Sequence, residues 1–140
     1  MTPRFATLFV AGLALMPLAC RDEIARKPTF AVTGKVTLDG KPAATASVVF
    51  HPVGASGPAD VKPHGTVNAD GTYTLSTYGG NDGAPAGDYL VTVQLWLAGQ
   101  RSDESPSNRL DAKYATPETT PLKATVAAGP TTLEPFALKR

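Results

Sequence analysis

Over several short stretches the chain alternates apolar with polar side chains, which is the period of half-buried β-strands. In the first, Phe30, Val32, Val36 and Leu38 fall on one side, and Ala31, Thr33, Lys35 and Thr37 on the other. Gly34 takes a place on the apolar side, where close approach of another backbone segment or a bulge is expected. Asp39-Gly40-Lys41-Pro42 supplies a turn. Ala46, Val48 and Phe50 then oppose Thr45, Ser47, Val49 and His51, until Pro52 ends the strand. Thr66-Val67-Asn68 and Thr72-Tyr73-Thr74-Leu75 read as hairpin arms around Ala69-Asp70-Gly71.

The strongest alternation sets Tyr89, Val91, Val93, Leu95 and Leu97 against Leu90, Thr92, Gln94 and Trp96, and apolar residues on both faces predict a central strand. Leu122, Ala124 and Val126 mark another strand. Leu133–Leu138 closes the chain, with Pro135 predicting an edge or a bulge. Small-residue loops separate these stretches at 54–63 and 79–87. Residues 98–120 form a long polar connection, in which one helical turn would set Leu110 and Tyr114 on the same side. The sum is an all-β fold, an antiparallel seven-stranded Ig-like or transthyretin-like β-sandwich. With Gly 13, Pro 13 and 18% charged residues, the composition suits a turn-rich chain of this kind.

The N-terminus follows a different pattern. Arg4 precedes an apolar run from Phe5 to Leu18, then Ala19-Cys20, and the run stops at Arg21-Asp22-Glu23, short of a bilayer span. A basic residue, an apolar run and a small residue before the cut predict a signal peptide over residues 1–19. Leu18-Ala19-Cys20 resembles the lipobox of bacterial lipoproteins, although Pro17 stands where a large aliphatic residue is usual. The resemblance implies that Cys20, the single cysteine, carries lipid and becomes the new N-terminus. Residues 20–28 would then be the lipidated cysteine and tether, and 29–140 the folded domain. One cysteine excludes an internal disulfide, so the domain must be held by packing alone.

Arg4 is the only charge before Cys20, which leaves the rest of the chain with equal numbers of each sign. No basic stripe is present, and nucleic acid is not an expected partner. The expected partners are a membrane, through the lipid anchor, and an envelope protein or glycan.

Three stretches carry a family resemblance: Val32-Thr-Gly-Lys-Val-Thr-Leu-Asp-Gly-Lys-Pro42, Ala69-Asp-Gly-Thr-Tyr-Thr-Leu75 and Pro85-Ala-Gly-Asp-Tyr-Leu-Val91. With Ala46-Ser-Val-Val-Phe-His-Pro52 they resemble the carboxypeptidase regulatory-like, or transthyretin-like, domain. Tyr78-Gly-Gly-Asn-Asp-Gly-Ala-Pro-Ala-Gly87 and Lys113-Tyr-Ala-Thr-Pro117 are similar to segments of small lipoproteins of the planctomycete type. The likeness spans nearly all of residues 30–138. It implies a sandwich in the cell envelope with no established activity and no transferable catalytic residue.

Residue chemistry is sparse. His51 and His64 are the only histidines, and metal ligation would need Asp60 or Asp70 beside them, so no metal or cofactor is expected. Asn68-Ala-Asp70-Gly71 and Asn81-Asp82-Gly83 place oxygens beside glycine as calcium loops do, but turns explain both pairs without a further ligand. The chain ends Phe136-Ala-Leu-Lys-Arg140, without the Tyr-Arg-Gly-Ser ending of transthyretin-like hydrolases, and no Gly-x-Ser-x-Gly elbow occurs.

A non-enzymatic cell-envelope lipoprotein is therefore expected, a structural or protein/glycan interaction module, with an outer-membrane address favoured by Arg21 after the cysteine. The alternative is a carbohydrate-binding module whose aromatic platform draws on Trp96, Tyr78 and Tyr114. Trp96 lies opposite the main apolar face of its strand, and the expectation is that the 98–120 connection covers it.

Overall fold

The computed structural model describes residues 25–54, 60–97 and 103–140, so the expected signal peptide and Cys20 lie outside the described residues. Among the described residues no helix is long and apolar enough to cross a membrane.

Alternation becomes burial where it was expected. Strand β1 (Val32–Leu38) buries Val32, Gly34, Val36 and Leu38 and turns Thr33 and Lys35 outward. Asp39 and Gly40 both take positive φ, 50° and 79°, and return the chain tightly into β2 (Lys41–Pro42). Strand β3 (Ser47–Pro52) pairs with β4 (His64–Thr66) on one side. On its other side lies β6 (Gly87–Gln94), which in turn pairs with β9 (Lys123–Val126). These make a four-stranded antiparallel sheet with β3 and β6 central.

The other sheet is built on β1. One side of β1 pairs antiparallel with β5 (Thr72–Thr74) and with β2. Its other side pairs parallel with β10 (Thr131–Thr132) and β11 (Phe136–Leu138). The register slips by one residue between Thr33↔Thr132 and Val36↔Phe136, so β10 and β11 act as one strand bulged at Leu133-Glu134-Pro135. Pro135 thus marks both a bulge and an edge. A small third sheet pairs β7 (Trp96–Leu97) with β8 (Ser107–Asn108).

The architecture is all-β and sandwich-like. It differs from the expected pattern in three ways. Eleven strands are present among the described residues, because Leu95 and Pro135 break long strands and two-residue ladders at β2 and β8 carry no periodic signal. Pairing is not purely antiparallel, because the chain crosses from β9 to the other sheet and then runs alongside β1. Finally, the hairpin around Asp70 spans both sheets. Its turn closes through Asn68 N–H on the Thr72 carbonyl at 2.7 Å, and its far end through His64 and Ser76, which exchange backbone bonds at 3.0 and 2.8 Å, yet β4 joins β3 while β5 joins β1. The absent side chain of Gly65 leaves room for the Thr74 carbonyl of the other arm.

The core lies between the sheets. Phe50 meets Tyr73 of the other sheet edge-on with centroids 6.4 Å apart, linking the layers, and packs against Tyr89 of its own sheet at 5.6 Å. Tyr73 stands directly across from Gly34, and a Cβ there would collide with its ring. The close approach at Gly34 is thus made by a side-chain ring and not by the backbone segment or bulge expected there. Its cost is visible in the Tyr73 hydroxyl, which is buried with no hydrogen-bond partner, and burial pushes its pKa well up.

Two substitutions test this packing. Tyr73→Phe should leave stability unchanged or raise it by about 1 kcal/mol, because it deletes an unpaired buried hydroxyl. Gly34→Ala should cost about 1–3 kcal/mol by overpacking against the same ring. Urea unfolding of the two variants measures both, and a large loss for Tyr73→Phe would show that the hydroxyl has a partner.

Candidate functional site

The residues singled out for binding fall at different places in the sandwich. Tyr114 follows Asp111, whose carboxylate accepts the Lys113 amide at 3.0 Å and caps the short 3-10 turn Ala112–Tyr114. Leu110 and Tyr114 are both 6% exposed, so this turn does pin the long connection to the body. Thr120 fixes its far end by donating to the Val91 carbonyl at 2.6 Å. The Tyr114 ring, partly covered by Lys113, offers little face to a ligand.

Trp96 is different. It is 54% exposed, so the connection does not cover it as expected. The reason is local. After β6 the strand breaks at Leu95, whose amide donates to Asn108 Oδ1 at 3.0 Å, and β7 peels away to pair with β8. Asn108 Oδ1 also accepts from the Leu110 amide at 3.2 Å, fixing this corner. The exposed indole is held in place: Trp96 Nε1 donates to Gln94 Oε1 at 2.9 Å, while Gln94 Nε2 donates to the Ala115 carbonyl at 3.2 Å. Gln94 therefore bridges the indole to the turn that follows Tyr114. The sequence offered no signal for this role beyond a polar residue on the outer side of a central strand.

Tyr78 lies at the other end of the sandwich. A depression at that end is lined by Lys27, Pro52, Val53 and Tyr89. The opposite end brings Leu95 and Leu97 beside Leu38 and Asp39. The Tyr78 hydroxyl accepts from the Lys27 amide at 2.9 Å, and the Arg26 guanidinium sits 5.2 Å from its ring centroid. Lys27 Nζ also reaches Asp60 at 3.5 Å. The structure thus does not bring Trp96, Tyr78 and Tyr114 onto one surface.

Between these ends, the outer face of the four-stranded sheet carries Val49, His51, Thr92 and Gln94. His51 Nε2 and the Thr92 hydroxyl are 2.9 Å apart. Burial, and after it the charge of Lys62, hold the His51 imidazole below its ordinary pKa, against a smaller opposing pull from Glu118. His64 sits across from Val49 on β4, with Nδ1 3.3 Å from the Lys62 carbonyl. Among the described residues, no group of three His, Cys, Asp or Glu side chains is placed to hold a metal.

The aspartates of the two Asx-Gly turns engage the chain's own donors. Asp70 Oδ1 accepts from the Thr72 amide at 2.9 Å and from its hydroxyl at 2.6 Å. Asp82 gathers the amides of Thr77 and Tyr78, at 2.7 and 3.0 Å, and the Ser76 hydroxyl at 3.3 Å. Partial burial works against ionisation of Asp82, but these bonds and one from Gly79 outweigh it and lower its pKa. Asp82 shapes the loop that presents Tyr78.

Comparison with known proteins adds little. No protein-family model and no curated protein sequence matches the chain. A crystal structure from Pseudomonas aeruginosa, provisionally described as a carbohydrate-binding protein, superposes with a TM-score of 0.46 at 12% identity, covering 83% of this chain and 91% of that one. Likeness at this level assigns neither a family nor a ligand.

The His51 environment sets a pH dependence. A histidine whose pKa is depressed on folding contributes stability while neutral, and that contribution is lost as pH falls below the ordinary imidazole range toward the folded value. Thermal melting should therefore fall between neutral and mildly acidic pH. His51→Gln should flatten that slope, and an unchanged slope would place its origin elsewhere.

Proposed function

We propose that this chain is a non-enzymatic binding module of the cell envelope, exported by residues 1–19, lipid-anchored at Cys20, and engaging a glycan through Trp96. The anchor rests on the lipobox-like Leu18-Ala19-Cys20 after an apolar run. The transthyretin-like assignment of the sandwich rests on the Gly-Lys-Val and Asp-Gly-Thr-Tyr segments.

The observation that carries the glycan reading is the exposed, oriented indole. An indole face presents apolar area with a negative π-surface, which suits the C–H face of a pyranose ring. A free indole would lose rotational freedom on binding, whereas the Gln94 bridge has already restricted this one. The ligand class is thus a saccharide that offers an apolar ring face, taken at the sandwich end farthest from Tyr78.

Glycan-array screening followed by titration calorimetry tests the reading. Trp96→Ala should weaken binding at least tenfold, about 1.4 kcal/mol. Gln94→Ala should weaken it less, by freeing the ring without removing it. Absence of glycan binding by the native protein would end this reading. The anchor is tested separately by the intact mass of protein extracted from its own envelope, where a chain beginning at acylated Cys20 is expected; Cys20→Ser should then release the protein from the membrane fraction.

A further inference from the structure

We propose that residues 25–28 form a strut rather than a free linker, so that the bilayer lies against the Tyr78 end of the sandwich and Trp96 is presented away from it. This deepens the reading above and rests on its lipid anchor at Cys20.

The geometry has three parts. Tyr78 is engaged twice by consecutive tether residues, through the Lys27 amide on its hydroxyl at 2.9 Å and through Arg26 over its ring at 5.2 Å. Lys27 Nζ adds a third contact, to Asp60 at 3.5 Å. Second, little chain is left between these contacts and the anchor. Cys20 precedes Arg26 by six residues, which span at most about 20 Å when fully extended. A chain of that length, fixed at one end to the domain and at the other to lipid, does not let the domain turn over. Third, the two ends differ in position along the strands. Val53, 61% exposed, lines the depression shared with Lys27, while Trp96 and Leu97, 54% and 43% exposed, lie beyond Gln94 at the opposite end of β6. With the strut docked, Val53 meets the headgroup layer and Trp96 faces outward.

The occupant of the Tyr78 end is therefore a phospholipid surface. Two arguments favour it over a protein: the short reach from Cys20, and the exposed apolar Val53 on a rim where Lys27, Asp60 and Asp88 mix both signs of charge, a surface suited to zwitterionic headgroups over acyl chains.

The chain contains one tryptophan, so its fluorescence reports position 96 alone. The full chain is attached to phosphatidylcholine vesicles carrying dansyl-labelled headgroups. Attachment uses its own acyl chains or, if the native protein carries none, coupling of the Cys20 thiol to maleimide-bearing lipid. A second protein, Trp96→Phe with Val53→Trp, moves the donor to the other end.

Energy transfer to the headgroups should be several-fold stronger from position 53 than from position 96. Releasing the strut with Tyr78→Phe, Arg26→Ala and Lys27→Ala, which removes all three contacts, should shrink that difference. The same release guards against an indole at position 53 seeking the membrane by itself, because it leaves that indole in place. Tyr78→Phe keeps the ring, so folding is preserved. Equal transfer from both ends, or a difference untouched by releasing the strut, overturns the proposal. A chain that lacks native acylation overturns the lipid reading alone, and the coupled form still reports on the strut.

Discussion

Without a second cysteine, the two sheets have no covalent tie, and their union depends on core packing centred on the contact of Phe50 with Tyr73 across the layers. That contact needs Tyr73 to lie across β1, which only the missing side chain at Gly34 allows. An unpaired phenol is tolerated in the core because the ring it carries covers the glycine and meets Phe50. Strand order follows from this choice. β1 becomes the spine of one sheet, with β5 and β2 on one flank and the bulged β10–β11 pair on the other.

The candidate site inherits its geometry from the facing sheet. β6 is central over Gly87–Leu90, and at Gln94 it is paired with Ser47 of β3 on one side, while the Gln94 side chain is tied to the Ala115 carbonyl. The break at Leu95 releases the next two residues from the sheet, while Asn108 stops them from wandering. An aromatic ring is thus exposed and still ordered. Rigidity in the element and exposure at its end are the usual conditions for a recognition side chain.

Much of the fold was legible because period two reports burial directly. The alternations in β1, β3, β6 and β9, the turn at Asp39-Gly40, and the anchoring of Leu110 and Tyr114 all follow from local composition, whereas Gly34 signalled a close approach without saying that the Tyr73 ring would make it. Periodicity says which face is buried, however, and not which neighbour lies alongside. The joining of the two hairpin arms to different sheets and the parallel return beside β1 depend on distant partners, so no local pattern encodes them. The same holds at the site. Parity placed Trp96 on the outer face, but its exposure depends on where the chain after Leu95 goes, and Tyr78 is read differently once Arg26 and Lys27 are seen upon it.

The parallel pairing of β1 with residues 131–138 has a consequence for the order of assembly. The first long strand of the sandwich gains one of its two flanks only from the last strands, with nearly the whole domain lying between them. Local hairpins can form early, but the loop that closes β1 against β11 is the longest in the fold, and its entropy must be met before its contacts contribute. A nascent chain therefore holds β1 with an open edge until its C-terminal strands are available, and loss of those few residues would leave that edge bare for another chain to pair with.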